Sequence, residues 1–369
     1  MASSPHMKSA PMILPWTADS VPHALLDILR GCNIRCRDCF NAPGGRIKPL
    51  AEVEHELETL LRLRPLQSVA IIGGEVTLHP QLEEIVRMVR RRRLFAEIFT
   101  NGVALDRALA ERLAAAGANL VFLHIEHGQH RPDLPENPTP EALHRLRAEK
   151  AELITQCGME AGLAVTLYPE RWEELEEAVR FTLESPHVTY LLGTLWRDVA
   201  RMPSLSGNME TGIVADRAGD FAAQKDVLNN EQIAAFLEER FGLTPFASVG
   251  SNVDAKALRW LSYFIATVHE KGWRSLRATC VEKLFLALSR RFTGRYPFYQ
   301  PQNARRLAFQ LLYNGHVSFL SRKMLSKRLL FQNPAEIGED GKLIYCNACP
   351  DAVLKNGALV PVCISDQMI

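Results

Sequence analysis

Cys32, Cys36 and Cys39 fall in the run Cys-Asn-Ile-Arg-Cys-Arg-Asp-Cys-Phe. Three thiolates make an unfinished ligand set. Structural zinc is normally closed by four ligands in two pairs, whereas thiolates also hold iron–sulfur clusters. A cluster held by three cysteines keeps one iron open to a substrate or cofactor. Two other origins fit the same spacing: cysteines that merely share a short loop, and a zinc site completed by a distant histidine.

Further chemistry-bearing groups follow at intervals. Ile72-Gly73-Gly74-Glu75 offers a backbone able to approach a ligand closely and a carboxylate able to meet an ammonium group, although a glycine pair after a strand is also an ordinary turn. Phe99-Thr100-Asn101-Gly102 puts polar groups at a strand end, either as ligand contacts or as a turn leading to Asp106 as N-cap. His124-Ile125-Glu126-His127-Gly128-Gln129-His130 concentrates imidazoles. Strand alternation would set His124 and Glu126 on one face and Ile125 on the other. Three histidines in seven residues also read as a metal site, but no facial triad follows from the spacing. Thr166 and the run Leu192-Gly193-Thr194-Leu195-Trp196-Arg197 complete the set.

From about residue 24 to 198, short apolar runs alternate with helical periodicity, the pattern of βα units on a parallel sheet. Strands are predicted at Ala24–Leu29, Val69–Ile72, Ala96–Phe99, Leu120–Ile125, Ala164–Leu167 and Thr189–Leu195. Helices are predicted near Ala51–Leu63, Gln81–Arg92, Asp106–Ala116, Pro140–Gln156 and Trp172–Leu183. The fold class is therefore α/β, a partial (β/α)6 TIM-like barrel, because six units are too few to close eight strands. In such folds the chemistry gathers at the C-terminal ends of the strands, which is where each group above lies.

Cys-x3-Cys-x2-Cys after the first strand, followed by Gly-Gly-Glu after the second and Thr-Asn-Gly after the third, resembles the radical SAM superfamily over about half the chain. The resemblance implies that Cys32, Cys36 and Cys39 hold a [4Fe-4S] cluster whose fourth iron is chelated by S-adenosylmethionine. It implies that Gly73, Gly74 and Glu75 hold the cofactor's amino group, with Asn101, His124, Glu126 and Thr166 as further contacts. Arg197 is then a partner for the cofactor carboxylate, or else a surface partner of Asp198. One departure stands out: most members carry an aromatic residue before the third cysteine, against the adenine, and here that residue is Asp38. Phe40, or a hydrogen bond from Asp38, is the expected replacement. A reducing protein such as flavodoxin or ferredoxin is an implied partner.

A second cysteine group lies in Cys346-Asn-Ala-Cys349-Pro-Asp and Val362-Cys363. Asn356-Gly357 between apolar runs is a hairpin signal that brings Cys349 and Cys363 toward each other. Cys346, Cys349 and Cys363 resemble a reduced form of the auxiliary-cluster segments, called twitch and SPASM, that follow many radical SAM barrels. A second iron–sulfur cluster or a zinc ion would suit these thiols, with Cys280, His316, an oxygen ligand or substrate as fourth ligand. Cys157 reads as a small buried hydrophobe.

The organisation expected is residues 1–23 as an N-terminal extension, partly a cloning remnant with native sequence starting near Met7; 24–200 as the barrel; 201–330 as a mostly helical extension; and 331–369 as the auxiliary cysteine segment. Helices are expected near Glu231–Phe241, Ala255–His269, Val281–Phe292 and Gln302–Tyr313, and residues 200–220 as a loop over the barrel mouth. Nothing ahead of the barrel reads as a cobalamin domain. Formal net charge is +1 and 47% of residues are hydrophobic, so no electrostatic argument favours nucleic acid and the chain can bury a sizeable core. The N-terminus lacks signal-peptide order, no run spans a bilayer, and eight cysteines clustered at the two ends do not make a secreted disulfide framework, so a cytoplasmic setting is expected. The apolar clusters at Trp260–Ile265, Leu284–Leu288 and Tyr296–Tyr299 suggest a small-molecule or lipid-like substrate, with ordinary core packing as the plainer explanation. A precursor peptide, or a non-catalytic iron–sulfur or zinc protein, are the alternatives.

Overall fold

The strand His23–Asp27 (β1) and the strand Ser68–Ile72 (β2) are buried at every residue. Burial on both faces is the condition of a parallel strand between helix layers. The description covers residues 10–39, 41, 44–199, 202–215, 227–268, 272–278, 280–293 and 324–369 of a computed structural model. β1, β2, β3 (Phe95–Thr100), β4 (Leu120–His124), β5 (Glu160–Leu167) and β6 (Val188–Leu195) pair in parallel, in chain order. The helices between them are α1 (Leu50–Leu63), α2 (Leu82–Arg91), α3 (Arg107–Ala116), α4 (Pro140–Gln156) and α5 (Trp172–Glu184).

Local chemistry explains the helix ends. Asp106 caps α3 by accepting the Leu109 N–H at 2.7 Å, and Gly117 stops it in the left-handed region at φ 98°. Thr139 caps α4, with Pro140 at the first helical position.

The sheet continues beyond β6. Chain order next gives α6 (Asn230–Phe241), β7 (Ala247–Val249), β8 (Trp260–Val268), α7 (Cys280–Thr293) and β9 (Met324–Gln332). β9 lies parallel against β6, with Tyr190 opposite Arg328 and Thr194 opposite Gln332. β8 and then β7 follow antiparallel, and Met12–Ile13 closes that end. β1 is the other terminus of the sheet, so the barrel stays open. Lys327 fixes β9 in place: its buried ammonium donates to the carbonyls of Thr182 and Ser185 at the end of α5 and of Val188 at the start of β6.

Three expectations require correction. The helix read at Ala255–His269 is instead the strand β8, because a short run of aromatic and apolar residues with no polar stripe suits a strand buried between two others. Residues 201–330 are accordingly not mostly helical among those described, and a boundary at 330 would cut β9. The stretch expected as a loop over the mouth contains a hairpin, Leu205–Asn208 with Gly212–Ala215, docked on the C-terminal segment: Leu205 N–H donates to Gln367 O and Ile213 N–H to the Tyr345 hydroxyl. The helix expected at Gln302–Tyr313 and the cluster Tyr296–Tyr299 lie outside the described residues.

The C-terminal hairpin forms as read, from β10 (Ala352–Lys355) and β11 (Ala358–Pro361), with Asn356 at φ 49° and Gly357 at φ 79° in its turn. β10 lies against β1, on the open side of the barrel. Among the described residues no helix is long and apolar enough to cross a membrane.

Candidate active site

The cysteine loop leaves β1 and crosses the C-terminal ends of the other strands. Arg35–Cys36 pairs with Gln129–His130, and the Arg37 N–H donates to Gly128 O, which pins the loop to the end of β4. Cys32 and Cys39 are exposed and Cys36 is half-buried. Burial, the Glu126 charge and the other two thiols together push Cys36 up to about 12. Among the described residues, no three His, Cys, Asp or Glu side chains stand together as a group that could hold a metal ion. As a donor set, three thiols on one loop suit a thiolate-held cluster with one iron left open.

Gly73 and Gly74 support this loop from below. A Cβ on Gly74 would lie 2.2 Å from Gly31 O, and one on Gly73 2.6 Å from Leu29 O. The close approach read from the sequence is therefore made by the protein's own cysteine loop. Glu75 is buried, and its Oε1 accepts the Thr77 N–H, the Thr77 hydroxyl and the Thr100 hydroxyl, while Oε2 accepts the Asn101 N–H at 2.7 Å. Oε2 thus retains lone-pair capacity for one more donor.

Asn101 makes the turn contact expected of it and also reaches the cysteine loop. Its Oδ1 accepts the Val103 N–H in the turn, while Nδ2 donates to Asn33 at 2.7 Å and lies 3.8 Å from Cys32 Sγ. His124 and Glu126 are paired at 3.0 Å, and Glu126 Oε2 accepts the Thr166 N–H at 2.5 Å. Burial pulls His124 down, but the Glu126 carboxylate outweighs it and holds the imidazole above its ordinary value. Burial likewise works against Glu126, and His124 with Thr166 hold it below. The three histidines do not converge: His127 faces Glu174 at 3.5 Å and His130 is exposed.

Arg197 is not at the rim as an open cation. Its buried guanidinium donates to Glu336 at 2.6 Å, Leu228 O and Trp196 O, and Arg259 binds the same Glu336. Burying a cation demands such partners, so neither the cofactor carboxylate nor Asp198 is its role. Phe40 lies outside the described residues, as do His316 and the side chain of Cys280. Asp38 instead meets Tyr168, whose ring carries the Arg37 guanidinium at 4.9 Å.

Below the rim, Phe99, His124, Thr166, Thr194, Leu330 and Gln332 are partly exposed and alternate with the buried Ile98, Leu123, Val165, Leu195 and Phe331. The first set faces the barrel lumen and the second the helices or the interior. Gln332 donates to Thr194 at 2.7 Å and also bonds Asp351. Gln129, Arg131, Tyr168, Gln332 and Asp351 escaped the sequence reading; only the crowded run after β4 signalled the first two. The C-terminal thiols sit nearby in the fold: a Cys346 hydrogen bond and then burial raise Cys349, and burial pushes Cys363 up to about 11.

The radical SAM superfamily model matches residues 26–182. This segment is a radical SAM domain. Outside it, the same chain carries β9 and the C-terminal cysteines, so the domain supplies only part of the sheet. The radical SAM segment is similar to the Fe-coproporphyrin III synthase of Methanosarcina barkeri, 29% identical over 122 residues, covering 31% of this chain and 29% of that protein. It is also similar to the PqqA peptide cyclase of Granulibacter bethesdensis, 27% identical over 165 residues and covering 41% of each. The chain spans less than half the length of these curated relatives. Among solved structures, Streptococcus suis SuiB bound to its precursor peptide SuiA aligns over 64% of this chain and 51% of that one, at 18% identity and a TM-score of 0.43.

Proposed function

We propose that the chain is a radical SAM enzyme in which Cys32, Cys36 and Cys39 hold a [4Fe-4S] cluster and the rim of Gly74, Glu75, Asn101, Glu126 and Thr166 receives S-adenosylmethionine. The observation that carries this reading is the continuity of that rim. Glu75 reaches β3, Asn101 reaches Cys32, and Glu126 reaches β5, all beside one loop of three thiols.

When bound, the cluster and S-adenosylmethionine supply a 5′-deoxyadenosyl radical able to take hydrogen from unactivated carbon. The chain's own part is placement and exclusion of water. Glu75 Oε2 is the acceptor for an ammonium group, and Glu126 braces the His124 imidazole, the partly exposed member of the pair, at the lumen. The substrate lies against Phe99, Leu192, Leu330, Thr194 and Gln332. With His124 and Thr166 beside it the lining mixes apolar and hydrogen-bonding groups, which supports a small-molecule substrate with polar handles on an apolar or lipid-like body. A precursor peptide is the second reading, favoured by the similarity to a peptide cyclase. Cys346, Cys349 and Cys363 are assigned to an auxiliary iron–sulfur site, and a flavodoxin or ferredoxin of the cytoplasm to electron supply.

The test is anaerobic reconstitution followed by reduction with dithionite in the presence of S-adenosylmethionine. Formation of 5′-deoxyadenosine and methionine, abolished in the Cys32→Ala, Cys36→Ala, Cys39→Ala triple variant, is expected. Intact S-adenosylmethionine, absence of iron under oxygen-free handling, or undiminished turnover by the triple variant would overturn the reading and favour a binding protein on the same fold.

A further inference from the structure

Two residues before Cys32, the Arg30 guanidinium is three-quarters buried, with 23% of its side chain exposed, and gathers contacts from three parts of the chain. Nη2 lies 2.7 Å from Asp27 Oδ2 on β1 and 2.9 Å from Asp366 Oδ1; Nη1 donates to Asp366 Oδ2 at 3.1 Å and to Asn41 Oδ1 at 2.9 Å. Asn41, two residues after Cys39, passes the link on by donating from Nδ2 to Gly73 O at 3.0 Å. Asp366 stands three residues after Cys363. One fork-shaped cation therefore joins the first strand, both ends of the N-terminal cysteine loop and the tail of the C-terminal cysteine segment.

The surrounding packing gives this link its importance. A cavity of about 430 Å³ separates α1 and the cysteine loop from β10, lined by Lys48, Glu56, Lys355, Arg30 and Asp366 among others. Apolar contact does not fill the gap, so the tail and the loop communicate there through charge. A bidentate arginine–carboxylate pair is the geometry in which such a contact is directional rather than a loose surface attraction. Arg30 stands two residues before Cys32 and Asn41 two after Cys39, so the Asp366 carboxylate is held against the two ends of the loop that carries the three thiols.

We propose that Arg30 is a positioning residue that locks the N-terminal cysteine loop to the C-terminal tail, and that Asp366 is a tail-borne negative charge that sets the reducing strength of the metal centre held by that loop. The second half rests on the function proposed above; the first does not. The arrangement makes the order of the C-terminal cysteine segment and the environment of the N-terminal thiols parts of one state. A negative charge near an iron–sulfur centre disfavours the added electron, so Asp366 lowers its potential and Arg30 raises it.

The experiment uses the full chain with Arg30→Gln and Asp366→Asn, and reads two quantities. Hydrogen exchange of the backbone over residues 29–48 is expected to accelerate about tenfold or more in both variants, while the β4 peptide, residues 120–124, keeps its wild-type protection. In the reconstituted protein, the midpoint potential of the N-terminal cluster, followed by electron paramagnetic resonance, is expected to move up in Asp366→Asn and down in Arg30→Gln. Generalised damage would move both variants the same way. Unchanged exchange over 29–48 in both variants overturns the lock, and potentials that shift together or not at all overturn the tuning. Exchange needs no metal, so a wild-type protein that binds no iron would remove the proposed function and the tuning while the lock is still decided.

Discussion

Asp351 approaches His23 from across the open side of the sheet, with Oδ1 3.8 Å from Nε2, and also bonds Gln332 on β9. The C-terminal segment thus touches both the edge strand β1 and the interior strand β9. His23 shares a 2.7 Å hydrogen bond with Ser68, and Glu97 lies in the same buried polar group.

This group gives a pH dependence of stability. Burial, reinforced by Asp351, raises Glu97 from 4.5 to about 8, and burial raises Asp351 from 3.8 to about 7. The folded chain therefore keeps protons that the unfolded chain has released, and stability declines as pH rises toward 8. Burial, then Arg64, lowers His23 from 6.5 to about 3, so its contribution is lost in the other direction, as pH falls below 6.5. Between pH 6.5 and 8 the two carboxyls act without His23. Urea unfolding should show the wild type weakening over that interval and Glu97→Gln weakening less; equal slopes would refute the assignment.

Gly74→Ala should displace the cysteine loop, because its Cβ would meet Gly31 O at 2.2 Å, whereas a Cβ on Gly31 meets nothing within 4 Å. Iron bound per chain after reconstitution is expected to fall severalfold in Gly74→Ala and to stay near wild type in Gly31→Ala.

Removing the Glu75 carboxylate strands donors from Thr77, Thr100 and Asn101 in a buried setting. Leaving such groups unsatisfied costs about 1–3 kcal/mol each, so Glu75→Ala is expected to lose roughly 3 kcal/mol or more of unfolding free energy. Glu75→Gln should lose less stability yet bind S-adenosylhomocysteine more weakly, as isothermal titration would register.

Arg197 supplies the opposite pattern. Breaking its buried pair with Glu336 is expected to cost about 3–5 kcal/mol in Arg197→Gln. The fraction that remains folded should bind S-adenosylhomocysteine with unaltered affinity, since the guanidinium points into the protein. A selective affinity loss at preserved stability would return Arg197 to the cofactor.

The residues legible in the sequence were those whose meaning is local. Cys32, Cys36 and Cys39 share one loop, Gly73, Gly74 and Glu75 one turn, and Asn356-Gly357 one hairpin, so spacing alone carried their placement. The six strands were legible for a related reason, since each apolar run is bounded by its own helix signals. What escaped depends on partners far along the chain. β9 is strand-like only because β6 and β8 flank it, the Glu336 that claims Arg197 lies 139 residues away, and nothing near Arg30 announces Asp366. Gly73 and Gly74 were read as space for a ligand because a sequence does not show which backbone comes to occupy that space.

The late arrival of β9 bears on how the molecule is made. Lys327 bonds Val188, the first residue of β6 and 139 positions earlier, and the parallel neighbour of β6 emerges from the ribosome at the same late point. Until then β6 exposes a row of unpaired peptide groups, a template for joining with other chains. The newly synthesised amino-terminal portion is thus a natural client for chaperones, and shortening the polypeptide before residue 324 would leave that margin permanently bare.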